Sequence, residues 1–150
     1  SAIEKICRIK KRSLKTPMLS LVKDVEMISR HTTSSKGEII NFLKNINSST
    51  TIIYPKGKNL CKHIFSDDES VGLRVPENKF CTELLTLMNK PLVSTSANIH
   101  KEPYPLSFEE INDDILKQVD YIVNLPKKDW CTKPSTVVKI DEFGNFYKIR

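Results

Sequence analysis

The chain has 150 residues, 39% hydrophobic and 28% charged, with a formal net charge of +6. That size supports one domain with its own core, so residues 1–150 are expected to form a single domain. No apolar run reaches bilayer length and no signal-peptide pattern opens the chain. Cys7, Cys61, Cys81 and Cys131 form no CxxC pair; the expectation is a cytoplasmic protein with reduced thiols and neither a membrane span nor a metal site.

Residues 2–10, AIEKICRIK, place Ile3, Ile6 and Ile9 or Lys10 near helical spacing, which predicts a helix ending about Lys10. A basic loop follows and is closed by Pro17, then residues 17–22 read as a strand. Asp24 is a plausible N-cap for a short helix through Ile28. Ser35 and Glu38 fit a capping box, predicting a helix that ends near Asn45.

TTIIY at 50–54 is a β-branched strand, residues 60–65 suggest a short helix, and residues 71–75 form another strand stopped by Pro76. The next helix carries Phe80, Leu84, Leu85, Leu87 and Met88 on or near its buried face. PLVSTSAN at 91–98 starts as a strand and runs into hydroxyls and an amide. On a continuing pleat Ser94 and Ser96 would share a face and Thr95 would point to the other. Ser107 with Glu110 reads as a second capping box, opening a helix that buries Phe108, Ile111, Ile115 and Val119. Residues 121–125 and 135–140 are predicted strands, and a turn at 141–145 feeds a last strand at 146–149. Interleaved helices and strands ending in an antiparallel hairpin predict an α/β or α+β layered domain with a mixed sheet.

Three features could carry chemistry. Lys10, Lys11 and Arg12 concentrate charge directly after a helix; such residues are most often solvated, but a Lys and an Arg two apart can also grip phosphate oxygens. Arg74 sits inside the apolar strand VGLRVP, so an anionic partner is expected, either an internal carboxylate or a ligand. Ser135 and Thr136 put hydroxyls at the edge of a strand, where they suit phosphate or carboxylate oxygens. The excess of lysine over the five arginines permits anionic ligands, nucleic acid included, without requiring them. No Gly-rich phosphate loop, nucleophile elbow or Ser/His/Asp set is visible, so such a site would act by positioning and charge stabilisation.

The order KxR at 10–12, VGLRVP at 71–76, PLVSTSAN at 91–98, QVDYIV at 118–123, PSTVV at 134–138 and a terminal IR resembles the YrdC family of threonylcarbamoyl-AMP synthases and YciO-type relatives over nearly the whole chain. The resemblance implies a three-layer α/β YrdC-like fold with a twisted mixed sheet and a concave basic groove. It implies condensation of L-threonine, bicarbonate and ATP, with Mg²⁺ accompanying the nucleotide, into threonylcarbamoyl-AMP and pyrophosphate. That product serves N6-threonylcarbamoyl modification of adenosine 37 in tRNA, through a downstream transfer machinery.

By the same resemblance, Lys10 and Arg12 would be catalytic. ATP would be bound by Lys10, Arg12, Ser94, Ser96, Asn98, Thr136 and Arg150, and threonine by Arg74, Thr95 and Ser135. The alternative it leaves open is a non-catalytic YrdC-like module binding nucleotide, tRNA or double-stranded RNA. The chain departs from the family pattern at several places. It is expected to lack the family's first strand and TDTxYG-like loop. PGPxT becomes NSSTT at 47–51, SGxP becomes HKEP at 100–103, and the GG after VDxIx becomes Asn124-Leu125, followed by Pro126 and two lysines.

Overall fold

A computed structural model of the chain describes residues 1–46, 50–125 and 135–150. In chain order the elements are α1 (Ala2–Ile9), β1 (Leu19–Leu21), α2 (Val25–His31), α3 (Lys36–Lys44), β2 (Thr50–Tyr54), β3 (Val71–Arg74), α4 (Lys79–Met88), β4 (Leu92–Ser94), α5 (Asp113–Leu116), β5 (Thr136–Ile140) and β6 (Phe146–Lys148), with a 3₁₀ turn at Lys62–Ile64. They divide into two compact units. One comprises Ser1–Thr16 and Thr95–Pro134, the other Pro17–Ser94 and Ser135–Arg150.

In the first unit, the Ser1 hydroxyl and the Glu4 carboxylate cap α1 reciprocally, and the helix buries Ile3, Cys7 and Ile9. Ile9 packs with Ile99 and Ile115, and Ile111 covers that cluster. The helix expected from Ser107 is only the short α5: Asn112 is its N-cap, and the Glu110 carboxylate accepts instead from the Leu106 N–H at 2.7 Å. An Asn followed by Asp113 and Asp114 offers both a side-chain cap and first-turn acids, which suit the positive helix end better than Ser107 does. Ile115 is buried as expected, but Val119 is exposed. The strand expected at 121–125 is absent, and Tyr121, Ile122, Val123 and Leu125 are exposed. Their β-branched and aromatic composition reflects fit to a pleated surface, and no described strand supplies one.

The second unit holds a six-stranded sheet in the order β4-β1-β3-β2-β5-β6. β1 runs parallel to β3 and β2 parallel to β5, while the β1–β4, β2–β3 and β5–β6 pairs are antiparallel. The sheet is therefore mixed, as the sequence predicts. Register puts Val93, Ser20, Leu73, Ile52 and Val138 across from one another on one face. Ser20, Leu73 and Ile52 are almost fully buried there. Tyr54, Ile140 and Phe146 belong to the same face, and Phe42 of α3 packs on two of them, edge-on to Phe146 at 5.3 Å and tilted on Tyr54 at 6.3 Å. α3 thus covers this face, and its Ser35–Glu38 capping box forms as expected.

β2 coincides with the predicted TTIIY strand, and Asp24 caps α2, which runs three residues beyond Ile28. α4 differs from expectation on one side: Leu85 is buried, but Leu87 and Met88 are exposed, Leu87 to 86%. Leu87 lies two residues beyond Leu85, roughly 200° around the helix, so the two cannot share a face. β4 ends at Ser94, so the expected alternation of Ser94, Thr95 and Ser96 on one pleat is not realised.

Candidate functional site: two cation-bearing clusters

The KxR spacing is set by how α1 ends. Lys10 is the C-cap residue and Lys11 takes a left-handed conformation at φ 50°. The Arg12 N–H donates to the Cys7 carbonyl at 2.9 Å and the Lys11 N–H to the Arg8 carbonyl at 3.1 Å. This is the paired bonding of a Schellman end, with a lysine where glycine usually stands. Lys10 and Arg12 therefore flank the residue that reverses the chain.

The Lys10 side chain turns inward and is 4% exposed. Its ammonium donates to the carbonyls of Ser96 and Asn98, each at 2.5 Å, and to Asn98 Oδ1 at 3.3 Å. The Ser96 hydroxyl donates to the same Oδ1 at 2.5 Å, and Asn98 Nδ2 donates to the Glu102 carbonyl at 2.7 Å. The amide is thus oriented, oxygen toward cation and hydroxyl, nitrogen toward a carbonyl. The Lys10 carbonyl completes the exchange by accepting from the His100 N–H at 2.9 Å.

Among the described residues the Lys10 ammonium meets neutral oxygens and forms no ion pair with a carboxylate. Burial, reinforced by the Arg12 guanidinium, lowers its pKa to about 8. Burial also draws the Arg12 guanidinium below its ordinary value, and Arg12 Nη2 donates to the Thr16 carbonyl at 3.3 Å. Thr95, half-buried, adjoins this network in sequence. Lys101, where the family pattern has glycine, holds φ 72°. The backbone keeps the left-handed turn even though the residue there carries a side chain.

The second unit carries the other predicted residues. Arg74 ends β3, pairs with Leu21, and accepts from the Val22 N–H through its carbonyl at 2.9 Å. Its Nε is buried without a hydrogen-bond partner, and among the described residues no carboxylate pairs with it. Of the two partners expected for it, the internal carboxylate is therefore not found there. Continuing the antiparallel register of Ile52 with Leu73 sets Thr51 opposite Arg74, and Thr51 Oγ1 is also buried and unpartnered. Thr51 is the residue NSSTT retains from PGPxT; Asn47, Ser48 and Ser49 lie outside the described residues, as do Pro126, Lys127, Lys128, Cys131 and Pro134.

Ser94, half-buried, faces Leu19 on the far side of β1 from Arg74. Thr136 lies beside Thr50 across β2 and β5. The Ile149 and Arg150 N–H groups both donate to the Val137 carbonyl, at 2.8 and 3.2 Å, so two residues face one in a β-bulge. From that bulge Arg150 Nε donates to the Ser135 carbonyl at 3.3 Å. The structure thus joins Lys10, Ser96 and Asn98 in one network and Ser135 with Arg150 in another. Sequence reasoning passed over Ser20, whose hydroxyl is buried without a partner. The only trace of it in the sequence is a serine in the middle of an apolar strand.

Of the described cysteines, Cys7, Cys61 and Cys81 are free thiols, and no His/Cys/Asp/Glu group of metal-binding size occurs among the described residues. No described helix is long and apolar enough to cross a membrane.

The chain is thus a mixed-sheet α/β protein in which, among the described residues, no carboxylate pairs with Lys10 or Arg74. A family model for Sua5, YciO and YrdC proteins, described as telomere recombination, matches residues 1–149; the chain belongs to that family. A Methanocaldococcus jannaschii protein provisionally named threonylcarbamoyl-AMP synthase is 31% identical over 144 residues, covering 94% of this chain and 65% of that protein. The chain thus spans slightly less than two thirds of this relative's length. The Escherichia coli YciO crystal structure matches with a TM-score of 0.80 and 26% identity, covering 99% of this chain and 72% of that one. The fold also matches P. abyssi Sua5 crystallised with L-threonine, at a TM-score of 0.82 and 22% identity, over 99% of this chain and 44% of that one.

Proposed function

We propose that the chain carries the synthase chemistry of its family: L-threonine, bicarbonate and ATP give threonylcarbamoyl-AMP, pyrophosphate and water, in the cytoplasm, for modification of tRNA. The observation that carries this reading is the pair of motif cations, Lys10 and Arg74, that no described carboxylate neutralises. A buried or half-buried cation without an anion is costly, and an anionic ligand offsets that cost. The substrates suit it, since carboxythreonine and ATP are both anions whose approach requires positive charge.

In this reading Arg74, with Thr51 beside it, holds the threonine carboxylate, and Thr95 and Ser135 line the amino-acid site. Lys10 and Arg12 provide the field for the phosphates, with Ser94, Ser96, Asn98, Thr136 and Arg150 completing the nucleotide contacts. Mg²⁺ enters with ATP as part of the substrate and shields the phosphate charge. The chain's residues orient the carbamate for in-line attack on the α-phosphorus and stabilise the departing pyrophosphate, with no protein nucleophile.

The test is pyrophosphate release from ATP that requires both threonine and bicarbonate. Release independent of threonine, or none, overturns the reading. A second reading, a module that binds nucleotide or RNA without turnover, draws on the net charge of +6 and on Lys101 in place of a turn glycine. It predicts tRNA binding that falls steeply with salt and no pyrophosphate release.

A further inference from the structure

β6 is an edge of the six-stranded sheet and, among the described residues, it pairs with β5 alone. The phase of that pairing fixes where its backbone points. The Asp141 N–H donates to the Asn145 carbonyl at 3.1 Å and the Ile149 N–H to the Val137 carbonyl at 2.8 Å, so Asn145, Tyr147 and Ile149 turn their backbone groups toward β5. Phe146 and Lys148 occupy the alternate positions, opposite Ile140 and Val138. Their N–H and C=O groups therefore project from the open edge. Phe146 and Lys148 share one face, where Phe146 is anchored edge-on against Phe42, and Tyr147 stands on the other. Tyr147 and Ile149 are 51% and 60% exposed. Free backbone groups and apolar side chains together make an edge that templates strand addition.

The charge along the hairpin selects what is added. Asp141 and Glu142 stand at its turn, Lys148 and Arg150 at the far end of β6. A parallel copy of this strand would set like charges side by side, whereas an antiparallel copy turns each cationic end toward the other's acidic turn. We propose that β6 pairs antiparallel with β6 of a second copy of this chain, about a two-fold axis at Tyr147, joining the two sheets into one. Phe146 of each copy then exchanges backbone hydrogen bonds with Lys148 of the other, using the groups that β5 leaves free. Lysine on an edge ordinarily discourages pairing. In this register, however, each Lys148 side chain lies beside a Phe146 ring, where a cation is attracted. Tyr147 meets its own symmetry mate on the opposite face. The strand is short, so the interface falls below the roughly 1,200 Å² of stable complexes and the expected Kd lies at about 10 µM to 1 mM.

The experiment has two arms on the whole chain. In the first, small-angle X-ray scattering and NMR diffusion follow association from about 10 µM to 1 mM for wild type, Lys148→Ala and Lys148→Pro. Proline removes only an outward N–H that β5 does not use. Lys148→Pro should therefore weaken the dimer at least about tenfold beyond Lys148→Ala. Wild type that stays monomeric at the highest concentration leaves the edge to some other strand and overturns the proposal, as does a dimer that Lys148→Pro and Lys148→Ala form equally well. The second arm reads the register by disulfide trapping. Across the axis the two copies of residue 147 have Cα atoms about 4.5 Å apart, within reach of a disulfide. The two copies of residue 148 are offset by about 6.8 Å along the strands as well as about 4.8 Å across them, which puts them beyond reach. Mild oxidation should bridge Tyr147→Cys to itself and leave Lys148→Cys unbridged, the linked residues being identified by peptide mass so that bridges through native cysteines are not counted. If Lys148→Pro does not fold, this arm decides alone: a bridge at 147 and none at 148 supports the pairing, and any other pattern overturns it.

Discussion

Lys11→Gly probes the turn that sets the KxR spacing. Lys11 is exposed and held at φ 50°, with the Arg12 and Lys11 amides bonded back to Cys7 and Arg8 at 2.9 and 3.1 Å. A residue with a Cβ in this region is strained by about 1–2 kcal/mol. Glycine removes the strain but adds about 0.5–1 kcal/mol of unfolded-state freedom. The net gain is about 0.5–1 kcal/mol, or about 1–4 °C in Tm at this chain length. Urea and thermal unfolding of Lys11→Gly, with Lys11→Ala as the control that keeps the strain, measure it. Both bonds involve backbone, so the gain should come without loss of turnover. A Lys11→Gly variant no more stable than Lys11→Ala would refute the Schellman assignment, and with it the account of why Lys10 and Arg12 stand two apart.

Lys101→Gly should likewise raise the melting temperature by a few degrees at about 1 kcal/mol, since φ 72° is relieved there; an unchanged melting temperature counts against a left-handed Lys101. Arg74→Met removes a half-buried cation with an unpartnered Nε, so unfolding should show unchanged or slightly raised stability while the threonine KM of pyrophosphate release rises; a large loss of stability would point to an internal partner. Gly57→Ala should destabilise the chain by about 1–3 kcal/mol in urea titrations, because a Cβ there would stand 2.5 Å from the Phe65 ring and 2.9 Å from Val71 Cβ. Hydrogen bonds from Lys139 and then Ser70 hold the Asp68 carboxyl at about 2, below its ordinary 3.8. Its contribution is full above 3.8 and lost as pH falls through 2, so the stability gap between wild type and Asp68→Asn should close over that range in melts at stepped pH. The pair is largely exposed, and the gap should stay within about 1 kcal/mol.

Much of the local structure could be read from the chain. The Ser35–Glu38 box and the Asp24 cap are patterns of near neighbours, and both form. TTIIY is a run whose β-branched side chains suit a covered strand, and it occupies the sheet between β3 and β5. The order of KxR, VGLRVP and PLVSTSAN was enough to reach the family. The same reasoning failed where two local solutions compete, as at Ser107 and Asn112, and where propensity needs a neighbouring strand, as at 121–125.

The sequence by itself determined which residues are cationic, where most helices and strands begin, and the family to which the chain belongs. Tertiary structure alone decided what surrounds the charges. Whether Arg74 meets a carboxylate, and whether the Lys10 ammonium is free or tied to Ser96 and Asn98, depends on contacts between residues far apart in the chain. Burial and hydrogen bonding are properties of such contacts, and no local pattern encodes them. The left-handed Lys11 and Lys101 were hidden for a related reason: glycine would have advertised the turns, but here the surrounding fold holds lysine in a conformation it does not prefer.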